Sequence, residues 1–321
     1  MSSDRVASRA LPYLACVALS GLGLLGLYIA GLAALDRAGY LPPPPLVNSL
    51  CADGKLECLR NNPPAAPTHL IVGSSVAWGD IDGSQIVLGD PAARPLNEGF
   101  CAAQMHQSAF VTWFMIERFP SVQTVIAAVE PHDFRNCDKG TEELFPPTDA
   151  DDYIFKRRWL YGFYLRYFDL HALQSNARKR RAEGRENLDQ WGDNPMWGHR
   201  SLYYGKFEGY DKACFAALRE LATSLKASGR RLIVATTPIN PAWSALYDKQ
   251  GTIMADLADE IGVALAGTDA VFWDGNKEFH TDSEEFLDAV HLQWPTAQRY
   301  SAALVASTGL DLSGNVRAAQ R

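Results

Sequence analysis

A serine pair near one end of the chain and an Asp-x-x-His near the other are the residues best suited to chemistry. Ser74 and Ser75 follow the apolar run at 70–73. A strand that stops at a small residue and then presents a hydroxyl is a common way for an α/β enzyme to display a nucleophile. Asp288 lies three residues before His291, so the two could act as orienter and base. Together these residues predict a serine acyl-transfer site.

Alternating apolar runs and amphipathic stretches predict the elements that position these residues. The pattern predicts a doubly wound α/β fold, a parallel five-stranded sheet with helices on both faces. Ligands bind at the carboxyl ends of the strands in such a sheet, which is where Ser75, Asn97, Gly99, His132 and His291 fall. The predicted strands are 68–73, 94–97, 124–129, 231–237 and either 263–265 or 270–273, and the main predicted helices are 101–119, 212–228, most of 241–261, and 296–308.

Residues 134–210 interrupt this alternation with basic runs at 156–158 and 178–181 and many aromatic residues. We expect a largely helical insertion beside the mouth of the site. Its basic face is either an ordinary solvated surface over an aromatic core or a surface for an anionic polymer, lipid headgroups or a membrane partner.

An uncharged apolar run predicts a transmembrane anchor at residues 10–35. As a helix the run would span roughly 39 Å, against a hydrocarbon core of roughly 30 Å. The alternative, a cleaved signal peptide, has an apolar stretch of only about 7–15 residues. Arg5 and Arg9 precede the run and Arg37 follows it, which favours a cytoplasmic segment 1–9. The protein is therefore expected to cross the inner membrane once, with its main domain in the periplasm.

Residues 36–67 are predicted to be a proline-rich linker, followed by the α/β domain from 68 to 321. Cys51 and Cys58 bracket a short polar loop that could close as a disulfide in an oxidising compartment. Cys101 and Cys137 are the second candidate pair, because they would lie on neighbouring loops. Cys214 falls on an apolar helical stripe and is expected to be a buried free thiol. The alternative is that all these cysteines are reduced core residues.

The composition excludes some functions. A net charge of -7 argues against a nucleic-acid partner, which would require a basic face. The sequence has no CxxC motif and no clustered Cys/His spacing, so a zinc site is not expected. No other metal and no cofactor are predicted.

The ordered blocks of residues 68–308 resemble the SGNH (GDSL-like) hydrolase superfamily. Residues 73–75 stand where that family has Gly-Asp-Ser, so the resemblance implies Ser75 as nucleophile. Gly99 matches the second-block glycine, whose N–H helps to form the oxyanion hole together with the Ser75 N–H. The terminal Asp-x-x-His implies His291 as base and Asp288 as its orienter. His132 replaces the asparagine of the third block, and acts either as an oxyanion donor or in a structural hydrogen bond.

The Gly-Ser-Ser variant and the anchor look more like the extracytoplasmic branch of that superfamily. That branch includes proteins of polysaccharide O-acetylation and of D-alanyl transfer, often beside a membrane-bound O-acyltransferase. The resemblance implies an acyl-serine intermediate and a cell-surface polysaccharide or another acyl acceptor as partner. Trp78, Asn97 and Trp243 are assigned to substrate binding, with core or rim packing as the alternative for the two tryptophans. A general carboxylesterase or lipase, and a catalytically silent scaffold subunit of a polymer-modifying complex, remain alternative functions.

Overall fold

Five parallel strands form the sheet, in the spatial order β2-β1-β3-β4-β5. The structure is a computed structural model, and it describes residues 3–138, 143–185, 187–199, 201–205 and 207–310. The predicted α/β class and the five-stranded parallel sheet are confirmed. The strands are β1 His69–Gly73, β2 Pro95–Gly99, β3 Thr124–Val129, β4 Arg231–Thr236 and β5 Val271–Trp273.

Thirteen α-helices accompany the sheet in the described part of the chain. Of the two alternatives for the fifth strand, the structure selects the later one, because 263–265 belongs to the end of α11. The helices are α1 Ser3–Arg37, α2 Leu50–Asn61, α3 Ser75–Asp80, α4 Gly83–Gly89, α5 Met105–Arg118, α6 Pro147–Ile154, α7 Leu160–Arg166, α8 Leu170–Glu183, α9 Lys212–Ala227, α10 Pro241–Tyr247, α11 Thr252–Leu265, α12 Gly275–Glu278 and α13 Trp294–Thr308. Short 3-10 helices lie at Pro131–Phe134 and Ser283–Glu285.

Alternate residues of the central strands face two separate hydrophobic cores. In β1, Leu70 and Val72 belong to one core and Ile71 belongs to the other. Helices α5, α9 and α11 cover the first face of the sheet, and α3, α4 and α13 cover the second. Burial on both faces explains why the strands read as continuous apolar runs in the sequence.

The segment predicted to be a linker is part of the packed structure. Helix α2 occupies its second half and buries Ala52, Leu56 and Leu59 in the larger core. Leu41 and Leu46, on either side of the proline run, are also buried. The packed domain therefore extends upstream of residue 68, because α2 supplies apolar side chains that the first face of the sheet needs.

Both predicted disulfide pairings are wrong. Cys51 bonds to Cys101 and Cys137 bonds to Cys214, with Cα–Cα distances of 6.3 and 5.3 Å. Cys51 and Cys58 lie on one helix, about 10 Å apart along its axis, which exceeds the reach of a disulfide. Cys101 follows β2 and Cys137 lies beyond the 3-10 helix after β3. Since β1 separates β2 from β3, those two strands lie roughly 10 Å apart.

Cys214 is correspondingly not the free thiol that its apolar stripe suggested. It lies in the first turn of α9, and the 3-10 helix after β3 packs against that turn. Phe134 stacks on Phe215 at 4.6 Å, and the Asp211 N–H donates to the Phe134 carbonyl. Cys58 is a free thiol in the described part of the chain.

Helix α1 contains the predicted membrane span. Within its segment Pro12–Arg37, an 18-residue window has a mean hydropathy of 2.0, and the segment is long and apolar enough to cross a bilayer. The most apolar part of that segment is not buried against the rest of the structure. Helices α6, α7 and α8 form the helical part of the 134–210 region, and its later residues return across the carboxyl end of the sheet.

Candidate active site

Ser75 is the first residue of α3, directly after the turn that ends β1. Gly73 makes this turn possible: its φ is +141°, and a Cβ there would lie 2.1 Å from the Ala128 carbonyl oxygen. Ser74 is the N-cap residue, and Ser75 is half-buried. As the first helical residue, Ser75 has an N–H with no acceptor inside the helix. The turn therefore presents both a hydroxyl and a backbone donor at one point.

The structure brings Ser75, His291 and Asp288 together in a continuous chain of hydrogen bonds. His291 Nε2 lies 2.8 Å from Ser75 Oγ. On the other side of the ring, His291 Nδ1 lies 2.9 and 3.0 Å from the two carboxylate oxygens of Asp288. An ionised Asp288 carboxylate accepts a hydrogen bond from Nδ1–H, so Nε2 is left as the acceptor that faces the serine. This arrangement can deprotonate the Ser75 hydroxyl as it attacks.

The loop that carries Asp288 and His291 is held as a tight turn. Asp288 Oδ1 accepts the backbone N–H groups of Val290 and His291, each at 3.0 Å. The Leu287 N–H donates to the His291 carbonyl at 2.8 Å. The aspartate therefore orients the imidazole through the backbone as well as through the side chain, which limits the freedom of the ring.

The two residues shift each other's pKa. Burial alone would lower the pKa of His291, but the hydrogen bond to Asp288 and the charge of that carboxylate raise it above its usual value of 6.5. Burial alone would raise the pKa of Asp288, and the hydrogen bonds from His291 hold it below its usual value of 3.8. An ionised Asp288 thus makes His291 a stronger base.

Asp80, the last residue of α3, is a second buried carboxyl beside His291. It is fully buried, and its Oδ1 accepts the Leu292 N–H at 2.9 Å. Its Oδ2 has no hydrogen-bond partner in the described structure. Burial raises the pKa of Asp80 well above its usual range, which favours the neutral carboxyl. Asp80 connects the helix of the nucleophile to the loop of the base.

His132 lies in the 3-10 helix that follows the carboxyl end of β3. Its Nδ1 lies 3.3 Å from Glu130 Oε2, which also accepts the His132 backbone N–H. Its Nε2 is buried without a hydrogen-bond partner in the described structure. Tyr204 contacts both histidines, with ring-centroid distances of 4.5 Å to His132 and 6.5 Å to His291, and donates its hydroxyl to Glu130. The unpartnered Nε2 is a polar atom that a substrate could satisfy.

Gly99 does not present its N–H as predicted. That N–H donates to Asn97 Oδ1 at 2.9 Å, so it is already engaged and is not an oxyanion donor in this arrangement. The need for glycine at this position is steric. A Cβ at Gly99 would lie 2.6 Å from the Trp78 backbone nitrogen, and glycine therefore lets β2 approach the start of α3 closely.

Three residues predicted to bind substrate are buried instead. Asn97 is fully buried, and its amide donates to the Ala77 carbonyl and to Asp193, each at 2.7 Å. Trp78 and Trp243 are 4% and 3% exposed, so neither ring face is open to stack on a sugar. Asn97 connects β2 to α3 by its hydrogen bond to Ala77, and the two tryptophans pack in the interior.

Three carboxylates near the start of α4 have the spacing of a metal site. Ligand oxygens of Asp82, Asp189 and Asp193 lie within 4.8 Å of one another. Each of the three already accepts a backbone N–H, including Gly83 on Asp193 at 2.6 Å and Ser84 on Asp82 at 2.8 Å. Their hydrogen bonds give them a structural role at this helix start.

The sequence interpretation missed Asp80, Glu130 and Tyr204 as neighbours of the base and of His132. Glu130 and Asp80 each had a usable signal, since a charged residue at the end of a buried strand or apolar helix requires a partner. Tyr204 had none, because its position depends on how the long segment after α8 returns to the sheet.

Three solved structures illustrate what the chain resembles. A carbohydrate acetylesterase from Sinorhizobium meliloti is 11% identical, with a TM-score of 0.42, over 76% of this chain and 98% of that chain. An inhibitor-bound aryl esterase from M. smegmatis is 12% identical, with a TM-score of 0.41, over 77% and 100%. A carbohydrate acetylesterase family member from Sinorhizobium meliloti is 13% identical, with a TM-score of 0.36, over 75% and 97%. No protein-family model and no curated protein matches the chain. The chemistry of the site is therefore inferred from the geometry of Ser75, His291 and Asp288.

Proposed function

We propose that the protein is a membrane-anchored, SGNH-type serine esterase or O-acyltransferase that acts on a cell-surface polysaccharide in the periplasm, with acetyl as the acyl group. The observation that carries the proposal is the 2.8 Å contact between Ser75 Oγ and His291 Nε2, with Asp288 bonded to the far side of the ring. A nucleophile, a base and an orienter in this order can perform acyl transfer without a metal or cofactor.

The first half of the reaction forms an acyl-serine. Ser75 Oγ attacks the carbonyl carbon of the acyl donor, while His291 Nε2 takes the hydroxyl proton. Asp288 stabilises the imidazolium that forms. His291 then gives the proton to the leaving oxygen as its bond to the carbonyl carbon breaks. The donor leaves as an alcohol, and the acyl group remains as an ester on Ser75.

The tetrahedral oxyanion requires donors close to Ser75. The Ser75 N–H at the start of α3 is one, and His132 is the second candidate through its unpartnered Nε2. While His132 Nδ1–H donates a hydrogen bond to Glu130, only the imidazolium form of His132 also carries a proton on Nε2. His132 therefore acts as a donor in its protonated form or in its other neutral tautomer.

The second half of the reaction releases the acyl group. An incoming hydroxyl, from water or from a sugar, loses its proton to His291 and attacks the acyl-serine carbonyl. Ser75 leaves and regains a proton from His291. With water the product is a free acid, and with a sugar hydroxyl it is an O-acylated polymer. A membrane-bound O-acyltransferase is the partner we propose as source of the acyl group.

Two features of the chain support the periplasmic location. The apolar segment Pro12–Arg37 is long enough to anchor the domain to a bilayer. The Cys51–Cys101 and Cys137–Cys214 disulfides are typical of proteins in an oxidising compartment. Both features fit a domain that meets its polymer outside the inner membrane.

Labelling with a fluorophosphonate tests the enzymatic proposal. The full-length protein in detergent should take up one label, which peptide mass spectrometry should locate on Ser75. The Ser75→Ala variant should take up none, and His291→Gln should label far more slowly. Ser74→Ala is the matched control and should label normally. Absence of any adduct on folded wild-type protein would favour a silent scaffold.

Acceptor dependence separates transfer from plain hydrolysis. Nitrophenyl acetate hydrolysis should be slow in buffer, and acetylated saccharide should form when a polysaccharide acceptor is present. Fast hydrolysis that acceptors leave unchanged would favour a general carboxylesterase. Mass spectrometry of surface polysaccharide from a strain that lacks the protein would then identify the polymer that loses its acyl groups.

A further inference from the structure

The groove between α1 and α8 opens beside the proposed membrane anchor. It is open to solvent and has a volume of about 520 Å³. We infer that this groove binds a single anionic phospholipid, with an acyl chain against Leu170 and Leu173 and the phosphate at Arg178 and Arg181. This inference rests on the membrane anchoring in the proposed function. The groove is lined by Leu35, Tyr40, Leu170, Leu173, Gln174, Ala177, Arg178 and Arg181.

The contacts of α1 indicate where the bilayer ends. Residues 12–27 of this helix are exposed on all sides, a length of about 24 Å. Tyr28, directly after this exposed stretch, is covered by the domain, since its hydroxyl donates to the Tyr164 carbonyl and its ring lies 5.2 Å from that of Phe168. This exposed length approaches the roughly 30 Å of a hydrocarbon core. The membrane boundary therefore falls near Tyr28 and Phe168.

The corner between α7 and α8 exposes large apolar side chains at this depth. Phe168 and Leu170 are 58% and 56% exposed. Exposed apolar side chains that lie together commonly mark a membrane-contact site. Helix α7 runs along α1 with its start farther from the bilayer, because Tyr161 near that start donates to Asp36 at the end of α1. The apolar corner therefore faces the bilayer. The side chains of Phe168 and Leu170, which the protein itself leaves uncovered, would there contact lipid and not water.

Helix α8 then carries the groove from the membrane boundary into the headgroup region. Arg178 lies about 12 Å along the helix from Leu170, and Arg181 lies about 16 Å along it. The headgroup region of one leaflet is roughly 5–8 Å thick, and long basic side chains can reach back toward it from farther out. The groove is thus apolar near the hydrocarbon and basic farther out, which matches the acyl chains and the anionic phosphate of a phospholipid.

The two arginines are free to meet a phosphate. Both are exposed, and neither forms an ion pair with a carboxylate in the described residues, whereas buried Arg180 between them is paired with Glu57 at 2.8 Å. Arg181 also lies 5.5 Å from the Tyr40 ring centroid, which keeps its guanidinium beside the groove. Anionic lipid attracts such basic residues near a membrane surface, despite the net charge of -7 on the whole protein.

Native mass spectrometry of the full-length protein tests the site. The protein is reconstituted in nanodiscs of phosphatidylcholine and phosphatidylglycerol in equal parts, and the retained lipids are identified after release. Wild type should retain phosphatidylglycerol in preference. The Arg178→Gln/Arg181→Gln double variant should retain it roughly 30-fold less, since each basic residue contributes about a factor of five to anionic-lipid binding. Lys179→Gln/Arg185→Gln, which removes the same charge outside the groove, should behave as wild type.

A second pair of variants, one in the groove and one control, tests the apolar half of the site. Leu170→Gln should weaken retention, whereas Leu246→Gln, at a residue 59% exposed on α10, should not. Two results would overturn the lipid site alone. One is equal phosphatidylglycerol retention by Arg178→Gln/Arg181→Gln and Lys179→Gln/Arg185→Gln, and the other is no preference of the wild type for phosphatidylglycerol over phosphatidylcholine. Release of the wild-type protein from vesicles at alkaline pH would overturn the anchor and the lipid site together. The fluorophosphonate result on Ser75 is independent of both.

Discussion

The Leu292 N–H donates to Asp80 Oδ1 at 2.9 Å, and this bond joins the two halves of the candidate site. Asp80 ends α3, the six-residue helix that begins with Ser75. Leu292 directly follows His291 in the chain. The nucleophile and the base are 216 positions apart in the sequence, and this buried hydrogen bond is one of the contacts that hold together the elements that carry them. The 2.8 Å contact between their side chains depends on this connection as well as on the turns around it.

We predict different outcomes for two substitutions of Asp80. Asp80→Asn keeps an oxygen for the Leu292 N–H and resembles the neutral carboxyl, so nitrophenyl acetate hydrolysis should stay within a few-fold of wild type. Asp80→Ala leaves a buried N–H without an acceptor, which should lower the free energy of unfolding by about 1–3 kcal/mol. Its kcat should fall more than its KM rises, because the imidazole loses its alignment. Equal kcat values for the two variants would contradict a positioning role for Asp80.

We predict that the acylation rate rises with pH through a midpoint above 6.5. His291 must be neutral to accept the serine proton, and its pKa is raised above its usual value of 6.5, so activity is lost as pH falls through that raised pKa. The measurement is the rate of fluorophosphonate labelling between pH 5 and pH 9. A midpoint below 6.5 would show that the Asp288 interaction does not dominate the burial of the ring.

Asp288→Asn provides the control for this pH dependence. The variant loses the charge that raises the pKa of His291 while burial remains, so the midpoint should move to lower pH. The amide also favours the wrong tautomer of the ring, and the plateau rate should fall by roughly 10⁴-fold. An unchanged midpoint with a lower plateau would mean that other carboxyls near His291 set its pKa.

The sheet and the placement of the polar residues could be predicted from local patterns. The strands at His69–Gly73 and Thr124–Val129 are buried on both faces, so they appear as short apolar runs that end at turn residues. Parallel strands place their carboxyl ends on one edge, and Ser75 and His291 meet there. The position of each residue relative to a strand end was enough to anticipate that meeting.

Long-range pairing and burial could not be predicted in the same way. The cysteine partners depend on β1 lying between β2 and β3, and no local pattern states that order. Trp78 and Trp243 have the side chains of a sugar platform, and only the packing around them decides that they are buried. Helix α2 did leave a signal, because Ala52, Leu56 and Leu59 recur at helical spacing. The proline-rich flanks and buried Lys55 obscured that pattern.

We predict that the Cys137–Cys214 disulfide is important for stability. It closes a loop with a sequence separation of 77, and constraints of this size on the unfolded chain contribute about 4 kcal/mol. Replacing both cysteines by serine should lower the free energy of unfolding by that amount, as measured by urea denaturation in detergent. Cys58→Ser, at a free thiol, is the matched control and should change stability by less than about 0.5 kcal/mol. Similar denaturation curves for the two variants would contradict the pairing.

We predict that His132 donates to the oxyanion. His132→Ala should lower kcat for nitrophenyl acetate by roughly 10²–10³-fold, the usual effect of removing one oxyanion donor. His132→Asn, whose amide can donate a hydrogen bond, should recover part of that loss. His280→Ala, at an exposed histidine, should have no effect.

The alternative for His132 is a structural hydrogen bond to Glu130, and the same variants distinguish the two roles. If the bond to Glu130 is all that matters, His132→Ala should lower the melting temperature and leave kcat within a few-fold of wild type. If donation matters, kcat should fall in a protein that melts near the wild-type temperature. The buried Nε2, which has no partner among the described residues, favours a polar contact with substrate, because leaving such an atom unsatisfied costs about 1–3 kcal/mol in the absence of substrate. Substrate binding would recover that energy at the reacting oxygen.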